Sequence, residues 1–464
     1  MKAVLDPDRV LAGGLAAIRG QFHVPEGFPP EVLAAAEAAA RRVPDAHVDR
    51  TALPLVTLDP ARSTDLDQAF TIEASGSDLL LRYAIADVAW FVRDGDPVDA
   101  EAWRRGATLY LPDGKAGLYP PVLSEGAASL LPDGPRPAVL FTVRVAPDGS
   151  ATLEDAERAL VASRAKLGYE TATAADLPPQ FAEFACRITV AEARRGAARV
   201  DPPEQEVVQR PDGGYALAFR ARHASEDQNA ALSLAANLAI ADVLRAHRTG
   251  LFRVMAEPDA AAVLRLRNTA RALGVAWPEA QPLAAFRTGL DAADPHQAAL
   301  MLAIRRAGQG ASYAPWRADA PPWHAAVAAS YVHATAPLRR LADRYVIRAT
   351  LAIMAGDPVP EAVTQAFERL PRVMGRADAL GGQIDRAVID LAEAVMLDGR
   401  EGETFAAVVT DIDARGARMQ LADLPVVTRI DAPGAAPGSP LSVRLVDADP
   451  ANRAVRFEAV GAQP

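Results

Sequence analysis

Three aspartates fall within nine positions: Asp59, Asp65 and Asp67, in residues 57–70 (TLDPARSTDLDQAF), followed by Gln68. Asp65 and Asp67 are two apart, so in an extended backbone they point the same way. Asp59 can return to that side because 60–64 is turn-like. Carboxylates converging on one point repel each other unless a cation sits among them. Oxygen ligands with no nearby Cys or His favour Mg²⁺ or Mn²⁺ over zinc. A solvated acidic turn is the plainer reading of an isolated D-x-D. Here the flanks, 53–58 and 69–72, are apolar and strand-like, which favours a metal site.

A second constellation lies far along the chain, in residues 331–343 (YVHATAPLRRLAD). Thr335 is a good N-cap and Pro337 suits the first turn of a helix. That places Arg339 and Arg340 near a helix N-terminus, where the dipole disfavours cations. Two arginines there make sense around an anion, with free backbone N–H groups adding to a phosphate site. Pairing with acidic neighbours such as Asp343 would explain them as well.

The elements that must position these residues are mixed. Strands are expected at 53–58, 68–74, 79–86 and 137–147, the last followed by a Pro147-Asp148-Gly149 turn. Helices are expected at 177–195, 226–247, 258–273, 337–354 and 361–396. Ser225 and Gln228 form a capping box for the second, whose Ala/Leu content on nearly every face marks it as buried. Residues 402–464 shift to five short β segments, 403–412, 415–421, 424–430, 440–446 and 454–459, which suggests an OB-type barrel. Phe405 and Phe457 are its only aromatics, few for a base-stacking platform. Residues 1–48 hold two short amphipathic helical segments, 6–19 and 30–42. A helical hairpin or helix-turn-helix fits them, and so does a structural cap. The expected organisation is therefore α+β in three parts: 1–48, a mixed core over 49–400, and a barrel over 401–464.

The chain has 464 residues, half of them hydrophobic, enough for a large core and two or three domains. No apolar run reaches membrane-spanning length and the N-terminus lacks a signal-peptide core, so a cytoplasmic location is expected. Cys186 is alone, which excludes an intrachain disulfide. A net charge of −10 argues against a protein that coats nucleic acid nonspecifically, but not against an enzyme admitting one strand through a local basic channel. Nearly all cations are arginine; the lysines are Lys2, Lys115 and Lys166.

Residues 57–70 resemble the first signature of the ribonuclease II/R (RNB) family of processive 3′→5′ exoribonucleases. That signature has aspartates at the same relative positions and ends in a further aspartate where this chain has Gln68. Residues 331–343 are similar to the second signature, a tyrosine and threonine followed by S-P-I-R-R/K-Y-x-D. Ala336 stands where serine is usual and Leu341 where an aromatic is usual. Between them, 81–92 (LRYAIADVAWFV) resembles the family's H-I-A-D-V strand, 105–121 its Y-L-P block, and 165–170 (AKLGYE) the block with a tyrosine near the final nucleotide.

The resemblance implies an RNB-type catalytic core with a C-terminal RNA-binding barrel, and a Mg²⁺-dependent (or Mn²⁺-dependent) two-metal hydrolysis of single-stranded RNA to nucleoside 5′-monophosphates. It assigns Asp59, Asp65 and Asp67 to metal binding, with Asp67 indispensable and Gln68 a weak ligand or water-holder. Arg339 would brace the phosphate and Arg340 the next one, in the block that also carries Thr335. Tyr110 and Tyr169 would contact bases, and Asp385 would assist near the leaving group. Asp87 would support the site, or simply end a strand. Where family members have paired glutamates, this chain has Ala230 and Ala231; where they have two cold-shock barrels, residues 1–48 leave no room. A monomer with no obligate protein partner is expected. The rival readings are an RNA-binding protein that has lost catalysis and a metal-dependent phosphodiesterase acting on DNA.

Overall fold

The structure, a computed structural model, describes residues 2–4, 10–197, 204–210, 214–220, 222–291, 294–308, 310–413 and 416–460. Its centre is a seven-stranded mixed sheet. The spatial order is Ser163–Gly168, Leu55–Asp59, Gln68–Ser75, Asp78–Ala86, Arg136–Val145, Ala151–Val161 and Val48–Asp49. The inner strands are runs of Val, Leu, Ile, Phe and Ala, and bury both faces, as in strand Arg136–Val145, whose middle is fully enclosed. At the hairpin after it, Gly149 takes φ +77°, and a Cβ there would strike the Arg187 carbonyl; glycine is the residue that fits. Strand Ser163–Gly168 runs parallel to Leu55–Asp59, with Gly168 opposite Asp59. This pairing delivers Tyr169 to the aspartates: its N–H donates to the Asp59 carbonyl at 3.1 Å.

Helix Ala224–Ala246 lies on the sheet, against helix Phe181–Arg195 and strands Arg136–Val145 and Ala151–Val161. Its N-cap is His223, with no side-chain cap. The expected capping box does not form, because Ser225 Oγ donates instead to the Tyr169 carbonyl at 2.7 Å. The arginine block also differs from expectation. The helix there is Leu341–Met354, and 336–340 form a turn before it. Asp343 explains the shift: its Oδ2 accepts the Ala336 N–H at 2.8 Å, so a side chain holds the turn that helical hydrogen bonds would otherwise use. The same turn is tied to the short hairpin Leu109–Leu111/Gly114–Ala116, since Thr108 N–H donates to the Arg339 carbonyl at 3.0 Å.

Helix Glu361–Leu397 is the spine that joins the rest. Its apolar stripe contacts helix Val10–Gln21, the hairpin and the small sheet of Gln205–Gln209, Tyr215–Phe219 and Lys2–Val4. At Gly14 a Cβ would collide with Leu391, so this glycine permits the close approach of helix to helix. Helix Pro30–Ala40 docks elsewhere, on helix Pro97–Arg105 and the segment Leu123–Ala127. The spine ends in the C-terminal barrel, where Leu397 joins the core of Val409, Met419, Val443, Leu445 and Phe457. The barrel's order is Val427–Ile430, Gly416–Leu421, Thr404–Asp413, Pro440–Asp449, Ala454–Ala459. Register shifts between Val409 and Asp411 and between Leu445 and Asp447 bend the long strands, and the first and last strands approach to leave it nearly closed. A separate cluster, built from helices Ala260–Ala272, Leu283–Arg287 and Pro295–Ala307, stacks Trp277 on Phe286. Among the described residues no helix is long and apolar enough to cross a membrane.

Candidate active site

Asp59 closes strand Leu55–Asp59, and the chain then turns, with Ser63 N–H donating to the Pro60 carbonyl at 2.9 Å. Residues 63–67 have no regular structure. They are stapled instead: Leu66 N–H donates to Ser129 Oγ (2.9 Å), Ser129 Oγ donates to the Thr64 carbonyl (2.7 Å), and Leu130 N–H donates to the Leu66 carbonyl (3.0 Å). Asp65 and Asp67 consequently take different partners. Asp65 meets the hairpin: Lys115 Nζ stands 2.8 Å from Oδ1, and the Tyr110 hydroxyl donates to Oδ2 at 3.3 Å. Asp67 is buried, accepting the Leu338 N–H at Oδ1 (2.7 Å) and Arg339 Nε at Oδ2 (3.2 Å). The two sequence constellations, more than 270 residues apart, meet through this carboxylate.

The electrostatics follow from that burial. Burial, reinforced by Asp67 and only partly offset by Arg339, pushes the Asp59 carboxyl up to about 7. Burial likewise raises Asp67 to about 7, against the pull of Arg339 and of the Leu338 hydrogen bond. The Asp59 side chain makes no hydrogen bond or ion pair among the described residues. It faces a cavity of about 390 Å³, whose walls include Tyr169, Asn229, Tyr331 and Arg339. Arg339 spends only Nε on Asp67 and is nearly half exposed, so its two terminal nitrogens have no protein partner among the described residues. Arg340 is different. Burial lowers its basicity, but Asp343 more than restores it, through a two-point contact at 2.7 and 3.0 Å. That contact is the acidic pairing the sequence left open.

Gln68 is held at both ends of its amide. Its Nε2 donates to the Thr335 carbonyl at 2.7 Å, and its Oε1 accepts from the Tyr83 hydroxyl and from Ser233 Oγ (3.3 Å). The Tyr83 hydroxyl, itself 2.8 Å from Ser233 Oγ, thus already occupies the amide oxygen, which does not suit a metal ligand. The aspartates have the hard oxygen chemistry of a divalent-cation site. Even so, among the described residues no three or more Asp, Glu, His or Cys side chains converge closely enough to cage an ion. A cation would draw on Asp59, whose oxygens are uncommitted, with Asp67 and Asp65 giving up part of their present contacts.

Tyr169 lines the cavity and its hydroxyl accepts from Asn229 Nδ2 at 3.0 Å, while burial raises its phenol to about 12. Tyr110 is 50 % exposed on the hairpin, paired across from Lys115. Thr335 contributes its carbonyl to Gln68 and is itself buried. Asp385 lies on the spine helix and is raised by burial and by Glu204; it does not line this cavity. Asp87 caps helix Val88–Phe91 and pairs with His47 and Arg158. Missed in the sequence were Lys115 and the polar line Asn229, Ser233 and Asn237. The line had a signal, since polar residues at i, i+4 and i+8 mark one stripe of an otherwise apolar helix. Ala230 also lines the cavity, and Ala231 is buried.

Fold and site together define a mixed core, with a carboxylate–arginine centre, followed by a small β-barrel. Residues 47–356 match the RNB domain and 403–460 the RNase II-type exonuclease C-terminal S1 domain; the chain belongs to the RNB family. It is 27 % identical over 433 residues to ribonuclease R of Aquifex aeolicus, covering 86 % of this chain and 60 % of that protein. It is 30 % identical over 420 residues to exoribonuclease 2 of Yersinia enterocolitica, covering 83 % and 62 %. The chain therefore spans about three fifths of the length of these two relatives. Its fold matches that of Mycoplasma genitalium RNase R in complex with ribose methylated single-stranded RNA, with a TM-score of 0.86 at 18 % identity, over 98 % of this chain and 78 % of that one.

Proposed function

We propose that the protein is a Mg²⁺-dependent exoribonuclease, with Mn²⁺ able to substitute, that shortens single-stranded RNA processively from the 3′ end and releases nucleoside 5′-monophosphates. The observation that carries this reading is the bond from Arg339 Nε to buried Asp67, which leaves the rest of the guanidinium beside Asp59 at the cavity. A guanidinium so held is preorganised for a phosphate, because its fork is aimed before substrate arrives. Asp59, Asp67 and Asp65 would hold the divalent ion, which when bound supplies an activated water and neutralises the phosphate. Asp67 orients Arg339 and fixes the 336–340 turn through Leu338. Arg340, anchored on Asp343, supports that turn and adds positive potential at the cavity wall. Tyr110 and Tyr169 would stack on bases from two sides, which tolerates any sequence. Gln68 clamps strand Gln68–Ser75 to Thr335. The protein would act as a monomer in the cytoplasm.

The test is a 5′-labelled single-stranded oligoribonucleotide incubated with the protein and Mg²⁺, beside a DNA oligomer of the same sequence. Shortening from the 3′ end to a small 5′ limit fragment with few released intermediates, abolished by EDTA and absent with DNA, is expected. Internal fragments would indicate an endonuclease. RNA binding without mononucleotide release would support a member of the family that has lost catalysis, and equal cleavage of DNA would support a general phosphodiesterase.

A further inference from the structure

Lysine is scarce in this chain, yet of Lys2, Lys115 and Lys166 two stand at the aspartate group. Lys166 is close enough to Asp59 to favour its ionised form. Lys115 is in direct contact: Nζ lies 2.8 Å from Asp65 Oδ1 and 3.2 Å from Glu125 Oε1. Glu125 is itself fixed, accepting Thr64 Oγ1 at 2.9 Å on its other oxygen. Tyr110, opposite Lys115 in the hairpin, takes the second oxygen of Asp65. Asp65 is therefore neutralised by an ammonium that two anions hold in place, and the hairpin carrying it is bound to the Arg339 turn. Gln68, meanwhile, has its amide oxygen bonded by the Tyr83 hydroxyl and its nitrogen by the Thr335 carbonyl.

We propose that Lys115 is a built-in cation of this centre: its ammonium holds Asp65 in the place of a second metal ion, so that the protein binds one divalent ion, through Asp59 and its neighbours, where two were expected. This deepens the reading above and rests on it, with one change: Asp65 passes from the ligands of the divalent ion to the ammonium. A divalent ion at Asp65 would have to share that carboxylate with a fixed positive charge. The repulsion between them has twice the strength of that between two monovalent cations at the same separation. Ammonium is a compact, strongly hydrated point charge, suited to replacing an ion in charge though not in Lewis acidity. Its withdrawal would leave Asp65 and Glu125 as a bare pair of carboxylates about one cation apart.

The experiment is titration of the full chain with Mn²⁺ in the absence of RNA. Free Mn²⁺ is read by electron paramagnetic resonance, for wild type, Lys115→Met and Lys115→Arg. The expected stoichiometry is one ion per chain for wild type and Lys115→Arg, and two for Lys115→Met. Two ions on the wild type, or one on both wild type and Lys115→Met, would overturn the role of Lys115 while leaving a metal-dependent enzyme. No Mn²⁺ binding by the wild type would overturn the metal reading itself, and this inference with it. Should Lys115→Met not fold, wild-type stoichiometry still decides, because two ions there refute the proposal and one ion, retained by Lys115→Arg, supports it.

Discussion

Asp59→Asn should stabilise the metal-free protein at alkaline pH, although it removes a residue placed at the centre of the site. The Asp59 carboxyl ionises near 7 in the folded chain, against an ordinary value of 3.8, chiefly because it is buried and then because Asp67 faces it. Between those values the folded state keeps a proton that the unfolded state has released. Stability therefore falls as pH rises from about 4, and the loss is complete above about 7. At 1.36 kcal/mol per pH unit the ceiling is roughly 4 kcal/mol. The side chain is only half-buried at the cavity, so screening by solvent reduces the expected figure to about 1–2 kcal/mol. Asparagine carries no charge, and with no hydrogen bond or ion pair at Asp59 among the described residues the substitution strands no partner. Urea denaturation in EDTA at pH 5 to 8, followed by near-ultraviolet circular dichroism, reads the effect. Wild type should lose stability across that range, and Asp59→Asn should lose less and lead by pH 8. Added Mn²⁺ should reverse the order, because an ion that binds only the folded wild type stabilises it by mass action. A variant equal to or weaker than wild type at pH 8 in EDTA, or a difference that ignores pH, would refute the reasoning.

Asp67→Asn should lower single-turnover RNA cleavage by about 10²–10³-fold, the range seen when a preorganised charge-stabilising contact is lost. A carboxamide can accept from Leu338 or from Arg339 but not from both, and RNA affinity read by fluorescence polarisation should change far less. Tyr110→Ala and Tyr169→Ala should each weaken RNA binding by ~1–3 kcal/mol, the worth of a base–aromatic stack. Tyr169→Phe should keep most of that affinity in the same assay, since it loses only the hydroxyl bonded to Asn229. Glu393→Gln should stabilise the protein above pH 7 in urea denaturation. Burial raises this carboxyl to about 7, and the amide oxygen can still accept from Val427 N–H and Gln205 Nε2. Glu393→Ala, which leaves those donors unpaired, should cost about 1–3 kcal/mol.

The elements legible in the sequence were those with most of their positions buried or half-buried. Strands Gln68–Ser75, Asp78–Ala86 and Arg136–Val145 are mostly apolar or β-branched because sheet neighbours and helices cover most of their positions. Strand Ala151–Val161 was not read, because ATLEDAERALV carries four charged residues and only three of its eleven positions are buried; its conformation is imposed by pairing with Arg136–Val145. Helix Leu341–Met354 starts later than its capping pattern implies because Asp343 reaches back to Ala336, a contact that local propensity does not encode. At the site, residue types were legible and partners were not. The aspartates and Arg339 could be picked out by spacing, but nothing near Lys115 in sequence announces Asp65, fifty residues earlier. The Asn229–Ser233–Asn237 stripe was written in the sequence at helical spacing, and was hidden by the alanines around it.

The exchange at Gln68 explains how the centre holds its geometry with fewer negative charges. A carboxylate at this position could accept from Tyr83 and Ser233 but could not donate to the Thr335 carbonyl, which the amide does at 2.7 Å. That bond ties strand Gln68–Ser75 to the stretch that ends in Arg339. Asp67, one residue earlier, makes the parallel connection through Leu338 and Arg339. Two adjacent residues, Asp67 just before the strand and Gln68 at its start, thus fix both ends of the distant arginine turn, one with a carboxylate and one with an amide. Gln68 thus acts as a clamp, and an ammonium on the neighbouring hairpin balances part of the carboxylate charge beside it. An aspartate at 68 would add a third carboxylate beside Asp59 and Asp67, both already raised to about 7 by their surroundings. On the proposed reading the glutamine is coupled to Lys115: with a lysine supplying fixed positive charge at Asp65, the centre would have no second ion for a further carboxylate to bind, and an uncharged, hydrogen-bonded clamp costs less to bury than a carboxylate.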